Sequence, residues 1–569
     1  MGKYGLKIKN YSAGSIYEYS LGVRSHYDYT SAMLTNSLFL DFLYEIGIDI
    51  WKDEATRDII CIDFNYGSSS YEQQLKKNEK AYNKAFENGD SERLVKIAEI
   101  RNDIELNKEK FVKKSVESIR DEFYENGVSI EYITRNNRGN ITNSEIVHYK
   151  MLYRTPGKAK QGSCMFICER LYDQAKDFLR MGIEMPFENA PIVEIGAYSS
   201  LATSSIVGRI QIDPKRILIL KDVDAFFETK VVSIETDENK HCHAKTIDKY
   251  KLKNTLFDGQ ALIESSIFPE WAEGYILLRH HFCKMAAFES NIQLFFKDYF
   301  GDKYDTAKVK DMFGNEIYAK DVLLITTDNA VKWLKFNISF DYWCDKVREN
   351  GCTFGIVKTA HQSKLGSVQK MSYQMINALD LSIMDKVVGY SKDYIELLKS
   401  DNDVFLDYLR DNVNFSNDYD VIVDLCEQDK EFVRSEYFRD RKKHIIEAYV
   451  LNFRSGKVIQ NADNLVIVGN PYAMLLHSVG EDALKDDTFC CEDGVIQCFT
   501  ERFEDDEYLA EFRSPFNSRN GLGYMHNVYN DKLKRYFSIG RQCIAVNMIG
   551  TDFQDLNNGL TYWLGSTEM

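Results

Sequence analysis

Hydrophobic and polar positions alternate along the chain in stretches that favour strands and helices in turn. Short apolar runs such as Ile59–Phe64 indicate a small α/β opening over residues 1–70. Residues 71–126 instead follow a charged helical pattern, which Asn88-Gly89-Asp90-Ser91 interrupts. Ser91 is a plausible N-cap, so the pattern predicts two antiparallel helices joined by a tight turn. A solvated helical hairpin with one buried stripe is the simplest interpretation.

The rest of the chain returns to strands, with one helical interruption. Residues 127–189 predict a strand and helix segment that leads into a first barrel with insertions at 190–385, a helical connector at 386–462 and strands again at 463–569. The β-rich runs of the first barrel are Ile192–Ile195, Arg216–Leu220, Leu323–Thr327 and Phe354–Lys358. No internal repeat is visible at the residue level. The predicted fold class is α+β, with a helical N-terminal head, a barrel, a connector and a partial barrel.

Composition limits the functions that this chain can have. A length of 569 residues suggests roughly three or four domains. The net charge of −16 argues against nonspecific coating of nucleic acid, which needs many cations facing phosphates. No apolar run is long enough to cross a bilayer, and the first residues lack a signal-peptide core, so we expect no membrane partner. The 12 scattered cysteines favour reduced thiols and a cytoplasmic location.

Five stretches carry a more specific signal when they are taken together and in order. They are RTPGKAKQGSCMFICERLYD at 154–173, FDGQALIESSIFP at 257–269, ITTDNAVKWLKF with GIVKTAHQSKLGSVQKMSYQMINALD within 325–380, DNLVIVGNPYAMLLHSVGED with EFRSPFNSRN within 463–520, and AVNMIGTDFQDLNNG at 545–559.

These stretches resemble the two-barrel RNA polymerase superfamily, in the branch of RNA-silencing RNA-dependent RNA polymerases and single-chain phage and prophage polymerases. The resemblance covers residues 150–559 and implies two double-psi β-barrels, the second one incomplete. It also implies template-directed RNA synthesis from nucleoside triphosphates with magnesium, and a nucleic-acid template as partner. Such chemistry needs metal ions for the reacting oxygens and cations for the triphosphate.

Lysines of the first barrel face the magnesium site in this family. The corresponding candidates here are Lys332, Lys335, Lys358 and Lys364. A strand lysine that points into a barrel is costly unless it meets a phosphate or carboxylate, which makes Lys358 the best candidate. A solvent-facing lysine at a strand end is the alternative interpretation.

A basic loop is the first of the candidate sites for nucleotide or nucleic acid. Arg154, Lys158 and Lys160 lie in a turn-rich segment before a helix, where side-chain charge and backbone N–H groups can hold a phosphate. The loop does not match a Walker P-loop.

Two further candidates rest on the resemblance. Asp258 precedes Gly259 and resembles the family's Asp-Gly element, although an ordinary Asp-Gly turn explains the pair equally well. Arg513 matches a basic position of the second barrel and is expected near phosphate. Its alternative is an ion pair with Glu511 or Glu501.

The family's metal ligands form an Asp-x-Asp-x-Asp cluster after the Gly-rich turn. In this sequence the turn ends at Gly559, and Leu560–Met569 stands where the aspartates are expected. Asp552 and Asp555 lie upstream of that position and are weak candidates for ligands. We therefore expect the chain to be truncated before its catalytic cluster and inactive alone. The alternative function is a noncatalytic nucleic-acid or nucleotide-binding remnant, or one half of a split polymerase that a separate polypeptide completes.

Other patterns give less support to other classes of protein. His241-Cys242-His243 and His280-His281-x-Cys283 have ligand chemistry but not the spacing of a structural zinc site. A third hypothesis is an acidic scaffold that binds partners through the helical hairpin at 71–126.

Overall fold

The computed structural model describes residues 5–546, with the exception of 52–54, 65–69, 109–113, 136–140, 155–162, 184–191, 239, 362, 372–380, 415–416, 490, 493–494 and 513–521. The chain divides into two compact units. The first unit comprises Met1–Lys215, Leu277–Lys284 and Val331–Lys358. The second unit comprises Arg216–Ile276, Met285–Ala330 and Thr359–Met569.

A six-stranded sheet with helices forms the N-terminal part of the first unit. Its elements are β1 (Gly5–Ser12), α1 (Ala13–Ser20), β2 (Tyr29–Thr35), α2 (Leu38–Glu45), β3 (Ala55–Asp63), α3 (Tyr71–Glu87), α4 (Ser91–Leu106), α5 (Val116–Asn126), β4 (Val128–Arg135), β5 (Ile141–Arg154), β6 (Ser163–Cys168) and α6 (Glu169–Arg180). The strand order is β2-β1-β3-β6-β5-β4. Only the β1–β3 pair is parallel, and the other neighbouring pairs are antiparallel.

The continuous apolar run of β3 explains its central place in this sheet. Ile59, Ile60 and Ile62 are each no more than 1% exposed, as expected for a strand that is covered on both faces. Helices α2 and α6 meet through stacked Phe42 and Phe178, whose ring centroids are 4.1 Å apart. Segments 1–70 and 127–189, which the sequence pattern separates, therefore contribute strands to one sheet.

The charged segment 71–126 contains the predicted pair of helices and a third one. Ser70 begins α3 through a reciprocal capping box with Gln73. The N-cap of α4 is Asp90, one residue before the predicted Ser91. Asn78 of α3 donates a hydrogen bond to a backbone carbonyl of α4 at 2.9 Å, which joins the two helices. The third helix, α5, begins after the Ser115 cap.

A seven-stranded mixed sheet follows in the segment predicted as the first barrel. The elements there are α7 (Ile192–Ser199), β7 (Gly208–Gln211), β8 (Ile217–Leu220), β9 (Asp224–Thr236), β10 (Cys242–Thr255), β11 (Gln260–Glu264), β12 (Tyr275–His280), β13 (Cys283–Ser290), α8 (Ile292–Phe300), β14 (Lys308–Lys310), β15 (Glu316–Tyr318), β16 (Leu324–Thr327), α9 (Phe340–Glu349) and β17 (Thr353–Thr359). The strand order is β7-β17-β12-β13-β11-β16-β8. Strands β9 and β10 form a separate two-stranded hairpin.

The prediction of a strand at Ile192–Ile195 is wrong, because these residues begin the helix α7. Ile195 is 4% exposed, and Ser199 donates a hydrogen bond to the Ile195 carbonyl one turn earlier, at 2.5 Å. The tertiary burial of this helix outweighs the weak strand preference of its β-branched residues.

Helices occupy the predicted connector, and a second mixed sheet follows it. The elements are β18 (Gln369–Lys370), α10 (Met384–Ser400), α11 (Asn402–Asp411), α12 (Tyr419–Gln428), α13 (Glu436–Arg454), β19 (Ile459–Gln460), β20 (Val466–Gly469), α14 (Pro471–Ser478), β21 (Cys491–Glu492), β22 (Val495–Phe499), β23 (Tyr508–Phe512), β24 (Leu522–Asn527), α15 (Asp531–Tyr536) and β25 (Cys543–Val546). The order of the second sheet is β20-β25-β22-β24-β23, and β21 pairs with β22. The predicted α+β class, with a helical connector between two mixed sheets, is confirmed.

Four strands of each sheet share one topology. In the first sheet, β8 and β16 are parallel, β16 and β11 antiparallel, and β11 and β13 parallel. In the second sheet, β20 and β25 are parallel, β25 and β22 antiparallel, and β22 and β24 parallel. The strands correspond in chain order as well. When the four strands of each sheet are numbered along the chain, both sheets have the spatial order third, second, fourth, first. The chain therefore contains a structural repeat that its residues do not reveal.

The helices between the third and fourth strands of each repeat also correspond. Helix α8 precedes β16, and α15 precedes β25. The two helices pack against each other within the second unit. Arg535 of α15 forms an ion pair with Asp298 of α8 at 2.7 Å, and the ring of Tyr536 meets Phe295 edge-on at 5.5 Å. The repeats therefore contact each other through equivalent elements.

Candidate functional site

Lys358 lies at the end of β17, where the buried part of the strand meets solvent. Phe354 and Ile356 share its strand face, because alternate residues point to the same side, and they are 1% and 0% exposed. Lys358 itself is exposed and forms no ion pair with any residue that the structure describes. This differs from the expected inward-pointing lysine, since Lys358 lies past the last buried position of the strand. Its ammonium group is available to a ligand.

Lys332 and Lys335 lie on a 3₁₀ helix at Lys332–Phe336. Residues three apart share one side of such a helix, but these two differ in their surroundings. Lys332 is half-buried near Cys283, whereas the Lys335 ammonium forms an ion pair with Glu194 at 3.1 Å and a hydrogen bond with Tyr198 at 3.3 Å. Burial lowers the pKa of Lys335, but the bonds to Glu194 and Tyr198 outweigh burial and raise the pKa overall.

The 3₁₀ helix is fixed by aromatic packing. Trp333 stacks on Trp343 of α9 with ring centroids 5.6 Å apart, and both side chains are 0% exposed. Lys332 and Lys335 are therefore held by a rigid segment. Lys364, in contrast, belongs to the second unit, is exposed and donates a hydrogen bond to the backbone carbonyl of Asp411.

Asp258 lies in the turn before β11, and a second aspartate holds that turn in place. The carboxylate of Asp222 accepts hydrogen bonds from the Phe257 amide at 3.0 Å, the Thr327 hydroxyl at 3.0 Å and the Asn329 side chain at 2.9 Å. Burial raises the pKa of Asp222 to about 6, although these hydrogen bonds act in the opposite direction. The Asp258 side chain is half-buried and accepts no hydrogen bond from the described residues.

Sequence reasoning missed the role of Asp222, although a signal was present. Asp222 and Asp328 each follow an apolar strand, β8 and β16, and those strands are parallel neighbours. Carboxyl ends of parallel neighbouring strands lie at one edge of a sheet, and the pairing of β8 with β16 therefore brings these residues together. The sequence also places an Asp-Gly pair directly before both equivalent strands, at 258–259 before β11 and at 493–494 before β22. The second pair lies outside the described residues.

Arg154 ends β5 and is already engaged within the first unit. Its Nε donates a hydrogen bond to the Tyr124 hydroxyl at 3.1 Å, and Tyr124 also lies 2.9 Å from the Cys164 sulfur. The other basic candidates, Lys158, Lys160 and Arg513, lie outside the described residues. The predicted phosphate-binding loop therefore stays a prediction.

Magnesium, which the family resemblance implies, has no fitting ligand set among the described residues. No group of three or more His, Cys, Asp or Glu side chains in the described part of the chain could hold a metal ion. The weak candidates Asp552 and Asp555 lie outside that part, as does Gly559, after which the sequence lacks the family's Asp cluster. The expected truncation before a catalytic cluster therefore stays a prediction. Among the residues described, no helix combines the length and apolar composition that crossing a membrane requires.

Comparisons with known proteins give a similarity in structure and none in sequence. No protein-family model matches the chain, and no curated protein matches its sequence. Among solved structures, the chain is similar to the RNA-dependent RNA polymerase QDE-1 from Thielavia terrestris, with a TM-score of 0.41 and 12% identity. The match covers 71% of this chain and 42% of that polymerase, so the chain spans less than half of it. A likeness of this size does not by itself assign a fold or an activity to the chain.

Proposed function

We propose that this chain belongs to the two-barrel class of RNA polymerases and takes part in template-directed RNA synthesis from nucleoside triphosphates. The observation that carries the proposal is the repeat of one four-strand topology on both sides of a helical connector. In the proposal these repeats are the two double-psi barrels that the sequence motifs imply, with residues 217–327 in the first and 466–546 in the second.

Lys358 is the residue that we assign to the triphosphate. Phosphate groups carry concentrated negative charge, and a lysine ammonium binds them as a compact point charge. Lys335 already has Glu194 as its counter-ion, and Lys364 is bonded to a backbone carbonyl. Lys358 is the candidate whose charge is exposed and not neutralised by a described residue. Lys332, half-buried, has a positioning role in this proposal.

Magnesium is part of the proposed reaction, but we assign it no ligands. Synthesis of a phosphodiester bond requires metal ions at the reacting oxygens. No group of described residues could hold a metal ion, so the proposal assigns the described residues no role in binding the magnesium. The proposed partners are a nucleic-acid template and nucleoside triphosphates.

Equilibrium binding of a fluorescent nucleoside triphosphate tests the assignment of Lys358. We expect Lys358→Ala to weaken binding by about 10-fold or more, since a hydrogen bond to a charged group contributes about 1.5–3 kcal/mol. Lys310→Ala is a matched control, because Lys310 also ends a strand, is exposed and has no ion pair among the described residues. Equal binding by the Lys358→Ala and Lys310→Ala variants would contradict the assignment.

Nucleotide incorporation separates a polymerase from a noncatalytic binding protein. The purified chain is incubated with labelled triphosphates, magnesium and single-stranded RNA or DNA templates. Products that depend on the template, and that are lost with Lys358→Ala, support RNA synthesis. Triphosphate binding without any product supports the noncatalytic alternative, and absence of both refutes the proposed function.

A further inference from the structure

One face of the N-terminal sheet is exposed in part along β2 and β1. In the antiparallel register Lys7 faces Met33, Lys9 faces Ser31, and Tyr11 faces Tyr29, so these six side chains lie on the same face. Tyr29 and Met33 are 53% and 45% exposed. The opposite face carries the buried residues Leu6, Ile8 and Leu34. The face with Lys7 and Lys9 is therefore exposed at Lys7, Tyr29 and Met33, whereas Tyr11 on the same face is 1% exposed and packs in the core.

Cations and aromatic rings alternate beside these exposed residues, in a series that includes Tyr132 of β4. The Arg57 guanidinium lies 3.7 Å from the Trp51 ring centroid and 4.3 Å from that of Tyr132. The Lys9 ammonium lies 5.7 Å from the same Tyr132 ring and 4.1 Å from the Tyr29 ring. We name the series Trp51, Arg57, Tyr132, Lys9, Tyr29 the aromatic–cation ladder. Its two outer rings are exposed, Trp51 to 45% and Tyr29 to 53%, whereas Tyr132 is buried beneath the cations.

The charge of this face is opposite to that of the whole chain. Lys7 is exposed, and Lys9 and Arg57 are partly exposed, in a protein whose net charge is −16. One carboxylate, that of Glu145, lies 3.9 Å from the Arg57 guanidinium, and the Glu145 side chain is 59% exposed. Such an exposed, long pair contributes little and exchanges readily for another anion. Asp28 is held instead by Arg24 at 2.5 Å.

Stabilisation of the sheet alone accounts for part of this arrangement. Contacts between cations and aromatic rings contribute about 0.5–2 kcal/mol each. They do not explain why the two outer rings remain half exposed, or why Lys9 has no acidic partner among the described residues. Stacked bases would cover those ring faces, and phosphates would neutralise the cations between them.

We infer that the aromatic–cation ladder is a binding site for single-stranded nucleic acid. Unpaired bases stack on the exposed faces of Trp51 and Tyr29, and backbone phosphates lie against Lys9 and Arg57. Exposed aromatic rings with cations beside them are the chemistry by which single strands are bound. A duplex is excluded because its bases are already stacked on each other. The site is separate from the proposed triphosphate contact at Lys358 and does not depend on catalysis.

Fluorescence anisotropy with a labelled oligouridine of about 12 nucleotides tests the inference on the full chain. Equivalent oligothymidine and an RNA duplex are measured in parallel. We expect both single strands to bind more tightly than the duplex, and a difference between them identifies RNA or DNA as the ligand. Trp51→Ala and Tyr29→Ala should each weaken binding by about 5-fold or more. The double variant Lys9→Gln/Arg57→Gln should lower the salt dependence by about 1.4 in log–log slope, or about 0.7 for each phosphate that is no longer neutralised.

The control variants carry the same chemistry on another sheet. Lys308 lies 5.3 Å from the ring of Tyr318, which is 44% exposed, so Lys308→Gln and Tyr318→Ala remove a similar pair. Thermal melting confirms that each variant is folded.

Photo-crosslinking of a thiouridine-containing oligonucleotide, followed by peptide mapping, locates the bound strand. Crosslinks at Trp51 or Tyr29 support the inference. Crosslinks that lie only elsewhere, together with unchanged affinity of the ladder variants, overturn it. Triphosphate binding is measured in the same variants and should be unchanged, since the two sites are formed by different residues. Failure of this inference is therefore distinguishable from failure of the proposed function.

Discussion

Acidification should destabilise the first unit, because two adjacent histidines are buried in it. His280 and His281 are 1% and 3% exposed. The His280 ring lies 5.0 Å from His281 and 4.9 Å from Phe354, and His281 lies 4.3 Å from Phe178, measured between ring centroids. Neither ring nitrogen of His280 has a hydrogen-bond partner in the described part of the chain. A proton on either ring therefore places a charge among aromatic side chains.

The size of the effect follows from the pKa of His281. Burial lowers this pKa to about 4, although the backbone of Phe178 opposes the shift. Burial lowers the pKa of His280 well below its usual value too, and the neighbouring His281 adds to the shift. An unfolded histidine has a pKa of about 6.5, so the unfolded state takes up the proton first. The stability is therefore complete above about pH 6.5 and is lost as the pH falls towards 4. At about pH 5, His281 alone lowers the free energy of unfolding by about 2 kcal/mol.

Urea unfolding at about pH 7.5 and about pH 5, followed by tryptophan fluorescence, measures this loss. Trp333 and Trp343 are buried in the same unit and report its unfolding. The variant His281→Phe should lose about 2 kcal/mol less than the wild type between the two pH values. His26→Gln is the control, because its side chain is 68% exposed. If His281→Phe keeps the pH dependence of the wild type, burial of His281 is not its cause.

Three further substitutions test the packing of the fold by urea unfolding. Arg502→Met should cost about 3–5 kcal/mol, because the Asp463 carboxylate, 2.7 Å from the Arg502 guanidinium and 4% exposed, is left without its partner. A loss no larger than that of a surface substitution would contradict this. Gly127→Ala should cost about 1–3 kcal/mol, since Gly127 has a φ of +69° and an added Cβ would lie 2.4 Å from the Tyr149 carbonyl oxygen. Unchanged stability would show that the turn relaxes. Asp222→Ala should cost about 3 kcal/mol or more, because several hydrogen-bond donors lose their buried acceptor, and Asp222→Asn should cost less.

Strong local patterns in the sequence predicted much of the fold. The charged periodicity of 71–126 gave α3 and α4, and the apolar runs 217–220, 324–327 and 466–469 are strands. The connector helices were predicted for the same reason, since each buries one apolar stripe. The run Ile192–Ile195 was misassigned because four apolar residues fit a buried helix as well as a strand.

Long-range features were beyond prediction from a single sequence. The union of segments 1–70 and 127–189 in one sheet depends on pairing between β3 and β6, which are about a hundred residues apart along the chain. The repeated topology was also not predicted, because strand order is set by packing, and an Asp-Gly pair before each of two equivalent strands is too common a turn to identify a repeat. The aromatic–cation ladder joins Lys9, Trp51 and Tyr132, which no local motif connects.

For the candidate site residues, the sequence predicted positions in strands better than exposure or ion pairing. The sequence pattern placed Lys358 at the end of a buried strand, as observed, but it favoured an inward-pointing side chain, whereas Lys358 is exposed. It gave no partner for Lys335, whose counter-ion Glu194 lies on a helix that the sequence pattern predicts as a strand. Exposure and ion pairing depend on tertiary neighbours, so they could not be read from spacing.

Affinity labelling with a lysine-reactive acyl phosphate of a nucleoside triphosphate tests the central claim most directly. Such a reagent modifies lysines next to a bound triphosphate, and peptide mapping identifies them. The account predicts that Lys358 is modified, that excess unlabelled triphosphate protects it, and that the exposed Lys310 shows no such protection. Labelling of Lys358 that is no stronger than that of Lys310 and that triphosphate does not reduce would contradict the account.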